Sequence, residues 1–379
     1  MMGSSSEKRV VIVGGGIIGL SIGWLLARQG CKVSICERGE AGREASWAAA
    51  GMLSALAEVH FDEQDLLRLG LLSAQLYPQW VDELEGASRM SVGYRTDGTL
   101  IVGIDQDDAR ELEHKFEIQQ HFDLKVQRLR GAEAREMEPL LSPKVTAGIY
   151  CLEDHHVDNR RMVEALIAAL RRAGGMLREN APVEKIEIRG GKAVGIRVNG
   201  EPVEADTIIL AAGCWSASIP GLPDLAKPPV RPVKGQMLAL QMSREATLTN
   251  VVHAPDAYLV PKEDGRLFIG ATCEEMGFDT QITAGGMFEL LRGAWEAVPA
   301  VYDFPVVETW VGLRPASRDS APILGKTPVE NLIMATGHFR KGILLTPVTA
   351  REIASLVLTG ETSEVIAPFQ LSRFARGVS

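Results

Sequence analysis

The sequence predicts an α/β protein, α+β overall, in which a parallel-sheet unit is interlaced with a mainly antiparallel β-sheet domain. Three observations predict it. A β-branched run at 10–13 leads through a glycine cluster into a helical pattern at 18–29 and a second strand pattern at 32–36. Strand and turn patterns dominate 230–272. The chain then returns to alternating elements near its end, so the first unit is expected to be built from several chain segments.

Composition narrows the classes of function. The chain has 379 residues, 46% of them hydrophobic, which is enough for a large core in one or two domains. A formal net charge of −9 argues against a nucleic-acid partner, because phosphate binding needs clustered Lys and Arg. The five cysteines are odd in number and match no metal-site spacing, which favours a reduced, cytoplasmic protein without a metal. No uninterrupted apolar stretch reaches the roughly 20 residues that span a bilayer, so no integral membrane segment is expected.

Patterns along the rest of the chain predict further elements. Helices are expected at 62–84, 107–122, 157–173, 287–297 and 346–358, the last with Thr346 as N-cap and Pro347 at its first position. Strands are expected at 98–102, 207–210 and 332–335, with a hairpin of 183–188 and 193–198 about Gly190 and Gly191. The parallel-sheet domain is assigned to 8–90, 150–222 and 306–379, and the second domain to 91–149 and 223–305.

The glycine cluster carries a dinucleotide-binding pattern. Gly14, Gly16 and Gly19 fit G-x-G-x-x-G between a strand and a helix, where they permit a tight turn and close approach of backbone to a pyrophosphate. Glu37 ends the second strand, where a carboxylate accepts hydrogen bonds from ribose hydroxyls and repels the 2′-phosphate of NADP. The alternative is a merely structural glycine turn. Strand, glycines, helix, strand and acid together favour a Rossmann-like site for NAD or FAD.

Later segments make the pattern more specific. A small-residue loop, ASWAAAGML at 45–53, is followed by PVKGQ at 232–236, YLVP at 258–261 and GRLFIGAT at 265–272. GLRP at 312–315 and GHFRKGILL at 337–345 complete the set. In this order and spacing the segments resemble the glycine oxidases of the D-amino-acid oxidase superfamily, from Lys8 to the C-terminus.

The resemblance implies an FAD-binding domain interlaced with a substrate domain. Related sarcosine oxidases attach flavin through a late cysteine, whereas the last cysteine here is Cys273, so the FAD is expected to be non-covalent. Val183 is expected to hold the adenine through its backbone, and Trp215 to pack near the adenine or in the core. The expected FAD-site residues are Gly14, Gly16, Ile17, Ile18, Gly19, Glu37, Arg38, Ser46, Ala50, Gly51, Met52, Val183, Gly213, Trp215, His338, Phe339, Arg340, Lys341, Gly342, Ile343 and Leu344.

The resemblance also assigns a substrate site. Arg314 is expected to bind a substrate carboxylate, because a guanidinium makes a bidentate, charge-assisted pair with it; a structural ion pair is the alternative. Tyr258 is expected beside it, rather than as a core tyrosine, and Arg340 near the mouth. Met52 would line the pocket. Asp256 and Cys273 stand where a well-known form of the family has histidine and methionine, which leaves the preferred substrate side chain open.

The implied reaction is oxidative deamination of glycine, sarcosine and small D-amino acids by hydride transfer to flavin N5. O2 would be the acceptor and H2O2 a product, and the imine of glyoxylate could feed thiamine synthesis. No acid–base constellation is evident in the sequence. His155 and His156, with Asp154 and Asp158, are interpreted as a polar turn rather than a metal site. The alternatives are a dehydrogenase that passes electrons to a quinone or another acceptor, and a non-catalytic FAD-bound module. The family suggests a homotetramer.

Overall fold

The structure is a computed structural model, which describes residues 7–59 and 61–375. Within that part of the chain the strands are β1 (Arg9–Val13), β2 (Lys32–Cys36), β3 (Met52–Leu53), β4 (Thr99–Gly103), β5 (Val126–Arg130), β6 (Ala147–Cys151), β7 (His155–His156), β8 (Met176–Arg178), β9 (Val183–Arg189), β10 (Lys192–Val198), β11 (Glu201–Glu204), β12 (Thr207–Leu210), β13 (Val230–Gln241), β14 (Val251–His253), β15 (Tyr258–Pro261), β16 (Arg266–Gly270), β17 (Val306–Ser317), β18 (Ile323–Lys326) and β19 (Leu332–Thr336).

The helices cover most of the predicted positions. They are α1 (Ile17–Arg28), α2 (Ala45–Ala48), α3 (Gln64–Ser88), α4 (Gln106–His121), α5 (Gly131–Met137), α6 (Asn159–Arg172), α7 (Ala284–Ala297) and α8 (Thr346–Thr359). Short 3-10 turns lie at Gly213–Ser218, Asp224–Ala226, Pro299–Asp303, Ala367–Phe369 and Leu371–Phe374.

A six-stranded sheet forms the first layer, in the order β18-β19-β12-β1-β2-β8. It is parallel except at the β18 edge. Strand β1 lies at its centre, with Val10 opposite both Thr207 and Val33. Its residues 10–13 are buried on both faces, as the continuous apolar run there predicts. Helices α1, α6 and α8 contribute to the apolar core beside it.

The second large sheet has eight strands in the order β17-β13-β16-β15-β14-β4-β6-β5. All its neighbours are antiparallel except β14 and β4. One cross-strand row joins four of its central residues: Met237 is opposite Gly270, Gly270 opposite Tyr258, and Tyr258 opposite His253. Opposed residues point to the same face of a sheet, so this row presents its side chains together.

The mixed α/β architecture confirms the predicted fold class. Both sheets draw on distant parts of the chain, and β9, β10 and β11 form a separate three-stranded sheet that contains the predicted hairpin. The predicted boundary at 306 assigns β17 to the FAD-binding domain, whereas β17 pairs with β13 in the eight-stranded sheet.

None of the helices at residues 7–59 and 61–375 combines the length and the apolar character needed to cross a membrane.

Candidate active site

A large cavity lies between the glycine turn of the first sheet and the Met237–His253 row of the second. Its volume is about 410 Å³, within the usual range for small-molecule sites. Every predicted cofactor and substrate residue lines it except Gly19. Segments separated by hundreds of residues in the chain therefore meet around one space.

The glycine turn fits a dinucleotide. A Cβ on Gly14, whose φ is +109°, would lie 2.5 Å from the Ala211 carbonyl oxygen, and one on Gly19 would lie 2.0 Å from the Gly14 carbonyl oxygen. Gly19 thus packs the helix against the turn instead of lining the cavity. Gly16 is the N-cap of α1 and provides no side chain there, and residues 16–18 at this helix end line the cavity.

Glu37 and Arg38 follow the turn at the cavity wall. The Glu37 carboxylate accepts hydrogen bonds from the backbone N–H of Gly15 at 2.7 Å and of Gly39 at 3.1 Å. A carboxylate has about four acceptor positions, so it keeps capacity for ribose hydroxyls. The Arg38 guanidinium lies 3.6 Å from the Trp215 ring centroid. Two predicted cofactor residues thus contact each other, with Phe278 stacked on Trp215 at 5.6 Å.

The small-residue loop of α2 and β3 forms another wall. Ser46 accepts a hydrogen bond from the Ile17 N–H at 2.9 Å, which ties the loop to α1. Ala48 lies over Gly312, where an added Cβ would come within 2.5 Å of the alanine methyl group. Small residues on both sides therefore let the loop lie directly on the second sheet.

The Lys262 side chain holds this loop from behind. Its Nζ donates to the carbonyl oxygens of Ala50 at 2.7 Å and Val157 at 2.9 Å, and the residue is only 4% exposed. Burial lowers the pKa of Lys262 to about 7. A buried ammonium or amine that donates to two carbonyls fixes the backbone of the residues that line the cavity.

The turn between β19 and α8 covers the opposite side. Residues 337–344 line the cavity throughout. His338 is buried and its Nε2 lies 3.1 Å from the Thr349 hydroxyl, while burial lowers its pKa to about 3. It is therefore a neutral, structurally bonded side chain near pH 7.

Arg314 and Tyr258 form a polar corner in this cavity. The Arg314 Nη1 donates to the Thr272 carbonyl oxygen at 3.0 Å, and within the described residues no carboxylate forms a salt bridge with it. Among the described residues, Arg314 therefore does not form the structural ion pair that was the alternative to substrate binding. Tyr258 lies beside it, and burial raises the pKa of its phenol while Arg314 opposes that rise. A guanidinium and a protonated phenol together suit a carboxylate.

Arg340, Cys273 and Asp256 lie towards the mouth. The Arg340 Nη2 donates to the Cys273 Sγ at 3.4 Å, and both residues are exposed. The Asp256 carboxylate accepts a hydrogen bond from the Arg292 Nη2 at 3.1 Å, with about half of each side chain exposed. The Asp256 carboxylate is therefore already engaged by Arg292 at the mouth.

Four further residues at this site were not identified from the sequence: Glu58, Lys262, Phe278 and His253. Glu58 and His253 line the cavity, and their side chains approach to 3.9 Å. A signal for His253 was present. The segment 254–257 closes a hairpin, with the Ala254 N–H bonded to the Ala257 carbonyl at 2.8 Å, and a four-residue loop places His253 opposite Tyr258.

No cluster of metal-binding side chains occurs among residues 7–59 and 61–375. At the predicted polar turn, Asp158 is the N-cap of α6 and accepts from the Arg160 and Arg161 N–H groups. Asp154 accepts three backbone N–H bonds, from Ala55, Leu56 and Ala57, at 2.7–2.9 Å.

Comparison with known proteins agrees with this geometry. Residues 9–356 match the family model described as FAD dependent oxidoreductase. The bifunctional protein ThiO/ThiG of Trichormus variabilis is 35% identical over 378 residues, which is 98% of this chain and 56% of that protein. The glycine oxidase of Geobacillus kaustophilus is 35% identical over 366 residues, 96% of each chain.

Solved structures show the same fold. The crystal structure of glycine oxidase from Geobacillus kaustophilus superposes with a TM-score of 0.90 at 34% identity, covering 98% of this chain and all of that one. The chain spans about half the length of the ThiO/ThiG relatives that it matches. The matching model, the full-length relatives and the dinucleotide cradle together show that this chain belongs to the family of FAD-dependent oxidoreductases.

Proposed function

We propose that this chain is an oxidase that uses non-covalent FAD to deaminate glycine, sarcosine and small D-amino acids with O2. The observation that carries the proposal is Arg314: a guanidinium without a carboxylate partner among the described residues, in the same cavity as the dinucleotide cradle. The names of relatives that match over nearly their full length, glycine oxidase among them, support the substrate class.

The chain's own residues would bind and orient the substrate. Arg314 and Tyr258 would hold the carboxylate, and Arg340 would add positive charge near the mouth. Met52 and the cross-strand row would limit the space for a side chain, which favours small substrates. When bound, the flavin accepts a hydride from the substrate and passes the electrons to O2 to give H2O2. Water would then hydrolyse the imine that leaves the site.

A link to thiamine synthesis and a homotetramer in the cytoplasm belong to the same proposal. Relatives named ThiO/ThiG combine a region like this chain with a second part in one polypeptide, which supports a supply of glyoxylate imine to an adjoining step. Peroxide production by the purified protein separates an oxidase from a dehydrogenase that uses another acceptor.

Anaerobic reduction of the flavin tests the function directly. Glycine, sarcosine and D-alanine should bleach the flavin absorbance, and D-proline and the L-amino acids show how far the substrate range extends. Arg314→Ala should keep the yellow colour but raise the half-saturating glycine concentration at least about 100-fold, because a charge-assisted bidentate pair is lost. An FAD-bound protein that no amine reduces would contradict the proposal and favour a non-catalytic module.

A further inference from the structure

Glu58 and His253 form a pair at the wall of the substrate cavity. Glu58 lies shortly after β3, and His253 ends β14; both line the same space as Arg314 and Tyr258. The His253 Nε2 lies 3.9 Å from the Glu58 Oε1. This distance is too long for a direct hydrogen bond, so both groups keep hydrogen-bonding capacity.

The sheet register brings His253 next to the carboxylate site. His253 is directly opposite Tyr258 on the neighbouring strand, and their ring centroids are 5.9 Å apart. Under the proposed function, Tyr258 and Arg314 hold the substrate carboxylate. The amine of an α-amino acid is attached to the carbon next to that carboxylate. A substrate held at this corner therefore has its amine near the carboxylate, in the cavity that His253 also lines.

The two edges of the His253 ring have different surroundings. Its Nε2 faces Glu58, is fully buried and has no hydrogen-bond partner within residues 7–59 and 61–375. A quarter of the side chain is nevertheless exposed, through atoms other than Nε2. An imidazole that faces a carboxylate with one nitrogen can take a proton at the other, because the carboxylate stabilises the imidazolium.

The charges around the pair favour an ionised Glu58 and a neutral His253. Burial raises the pKa of Glu58, but Lys341, His253, Arg340 and Lys115 outweigh it and bring the value below the usual one. Burial lowers the pKa of His253; Glu58 opposes that change, whereas Lys115 and Arg340 add to it. A neutral imidazole near pH 7 has a nitrogen free to accept a proton.

We propose that His253, supported by Glu58, is the base that removes one proton from the ammonium group of the bound substrate. The inference rests on the proposed function. One N–H bond of the ammonium breaks, its electron pair stays on the amine nitrogen, and the proton forms an N–H bond on the imidazole. Glu58 stabilises the resulting imidazolium. The neutral amine then has the lone pair that oxidation at the adjacent carbon requires.

The pH dependence of flavin reduction by glycine in the FAD-loaded protein tests this role. His253→Gln should slow anaerobic reduction near pH 7 by about 100-fold, the usual contribution of a general base. The defect should disappear at alkaline pH, where the substrate amine is already neutral in solution. Glu58→Gln should show the same pattern with a smaller loss. His155→Gln is the matched control, because His155 also has a buried nitrogen without a partner but does not line the cavity.

A His253→Gln defect that is equal at every pH, or no defect, would overturn the inference while leaving the proposed function intact. If no amine reduces the wild-type flavin at any pH, the function and the inference both fail.

A second measurement needs no turnover. The compound 2-aminoisobutyrate has no hydrogen on its α-carbon and cannot be oxidised there. Its binding should shift the 15N signal that His253→Gln removes, because the amine would contact that imidazole nitrogen, whereas acetate should not shift it. An unchanged signal in the saturated complex contradicts the proton transfer.

Discussion

Two glycines make room for the polar side chains of the substrate corner. A Cβ on Gly235 would lie 2.4 Å from the Arg314 Nη1, and one on Gly270 would lie 2.5 Å from the Tyr258 hydroxyl. Neither position requires a positive φ, so the need for glycine is one of space. Gly235 in the PVKGQ segment and Gly270 in the GRLFIGAT segment therefore contribute to the site because they lack a Cβ.

Gly235→Ala should displace Arg314 without disturbing the dinucleotide cradle. We expect FAD binding to persist, while the half-saturating glycine concentration rises at least about 10-fold, equivalent to about 1.4 kcal/mol. Titration of the variant with glycine and with acetate, followed by flavin absorbance, measures this. Gly86→Ala in α3 is the control, since its Cβ would meet nothing within 4 Å. Equal glycine affinity in the two variants would contradict the steric role.

The site residues that could be predicted from the sequence are those within distinctive local segments. Arg314 and Tyr258 each lie in such a segment, and both line the cavity. The hairpin at 254–257 indicates that His253 lies opposite Tyr258, but Glu58 has no local signature, because its approach to His253 depends on how the folded chain places β3 and β14. No acid–base group was evident in the sequence because Glu58 and His253 come together only in the folded protein.

At the scale of elements, Lys262 joins the cavity loop to the second sheet. It follows β15 directly, and its two bonds reach the backbone after α2 and after β7. His156 adds a contact of 3.0 Å between its Nε2 and the Pro261 carbonyl oxygen. These bonds fasten the short β3–β7 pairing to the β15–β16 turn.

Lys262→Met should change the pH dependence of stability. The ordinary lysine pKa of 10.5 falls to about 7 in the folded protein. Between these values the unfolded chain binds a proton that the folded chain does not, so wild-type stability gains up to about 1.4 kcal/mol per pH unit as pH rises. The gain is lost progressively as pH falls from 10.5 to about 7, and below that both states carry the proton. Urea unfolding should show that the free energy of unfolding of the wild type, minus that of Lys262→Met, increases from pH 7 to 10.

Exposed Lys144→Met provides the control for that experiment and should follow the wild type in parallel. A constant difference between wild type and Lys262→Met across the same interval would show that the lysine titrates as it does in water.

Element boundaries were predicted well where apolar periodicity and caps agree. The strand at 207–210 matches β12, whereas α6 begins at Asn159 rather than 157 because Asp158 caps it. Thr346 was the wrong N-cap. Leu345 takes that position, because the Thr346 hydroxyl donates to the Gly342 carbonyl at 2.9 Å and the residue lies inside the helix. A local hydroxyl bond of this kind cannot be distinguished from a cap by residue type alone.

At the scale of the whole molecule, the cavity separates the dinucleotide turn from the substrate sheet, so bound FAD would contact both. Removing FAD should lower the melting temperature, and adding it back should raise that temperature with the logarithm of its concentration. FAD at 100 times its Kd contributes about 2.7 kcal/mol. Scanning calorimetry of apoprotein with FAD, and with riboflavin as a fragment control, measures the effect. Identical melting with and without FAD would contradict it.

The segment 273–283 touches both ends of this cavity. Cys273 meets Arg340 at the substrate mouth, Phe278 stacks on Trp215, and the buried Lys234 binds Asp279 at 2.6 Å. A substitution at Cys273 therefore also changes a segment that contacts Trp215, a residue expected at the cofactor. Variants at this position should be screened for flavin fluorescence as well as for turnover. Without the fluorescence measurement, a variant that no longer binds FAD and a variant that no longer binds the substrate would both be scored only as inactive.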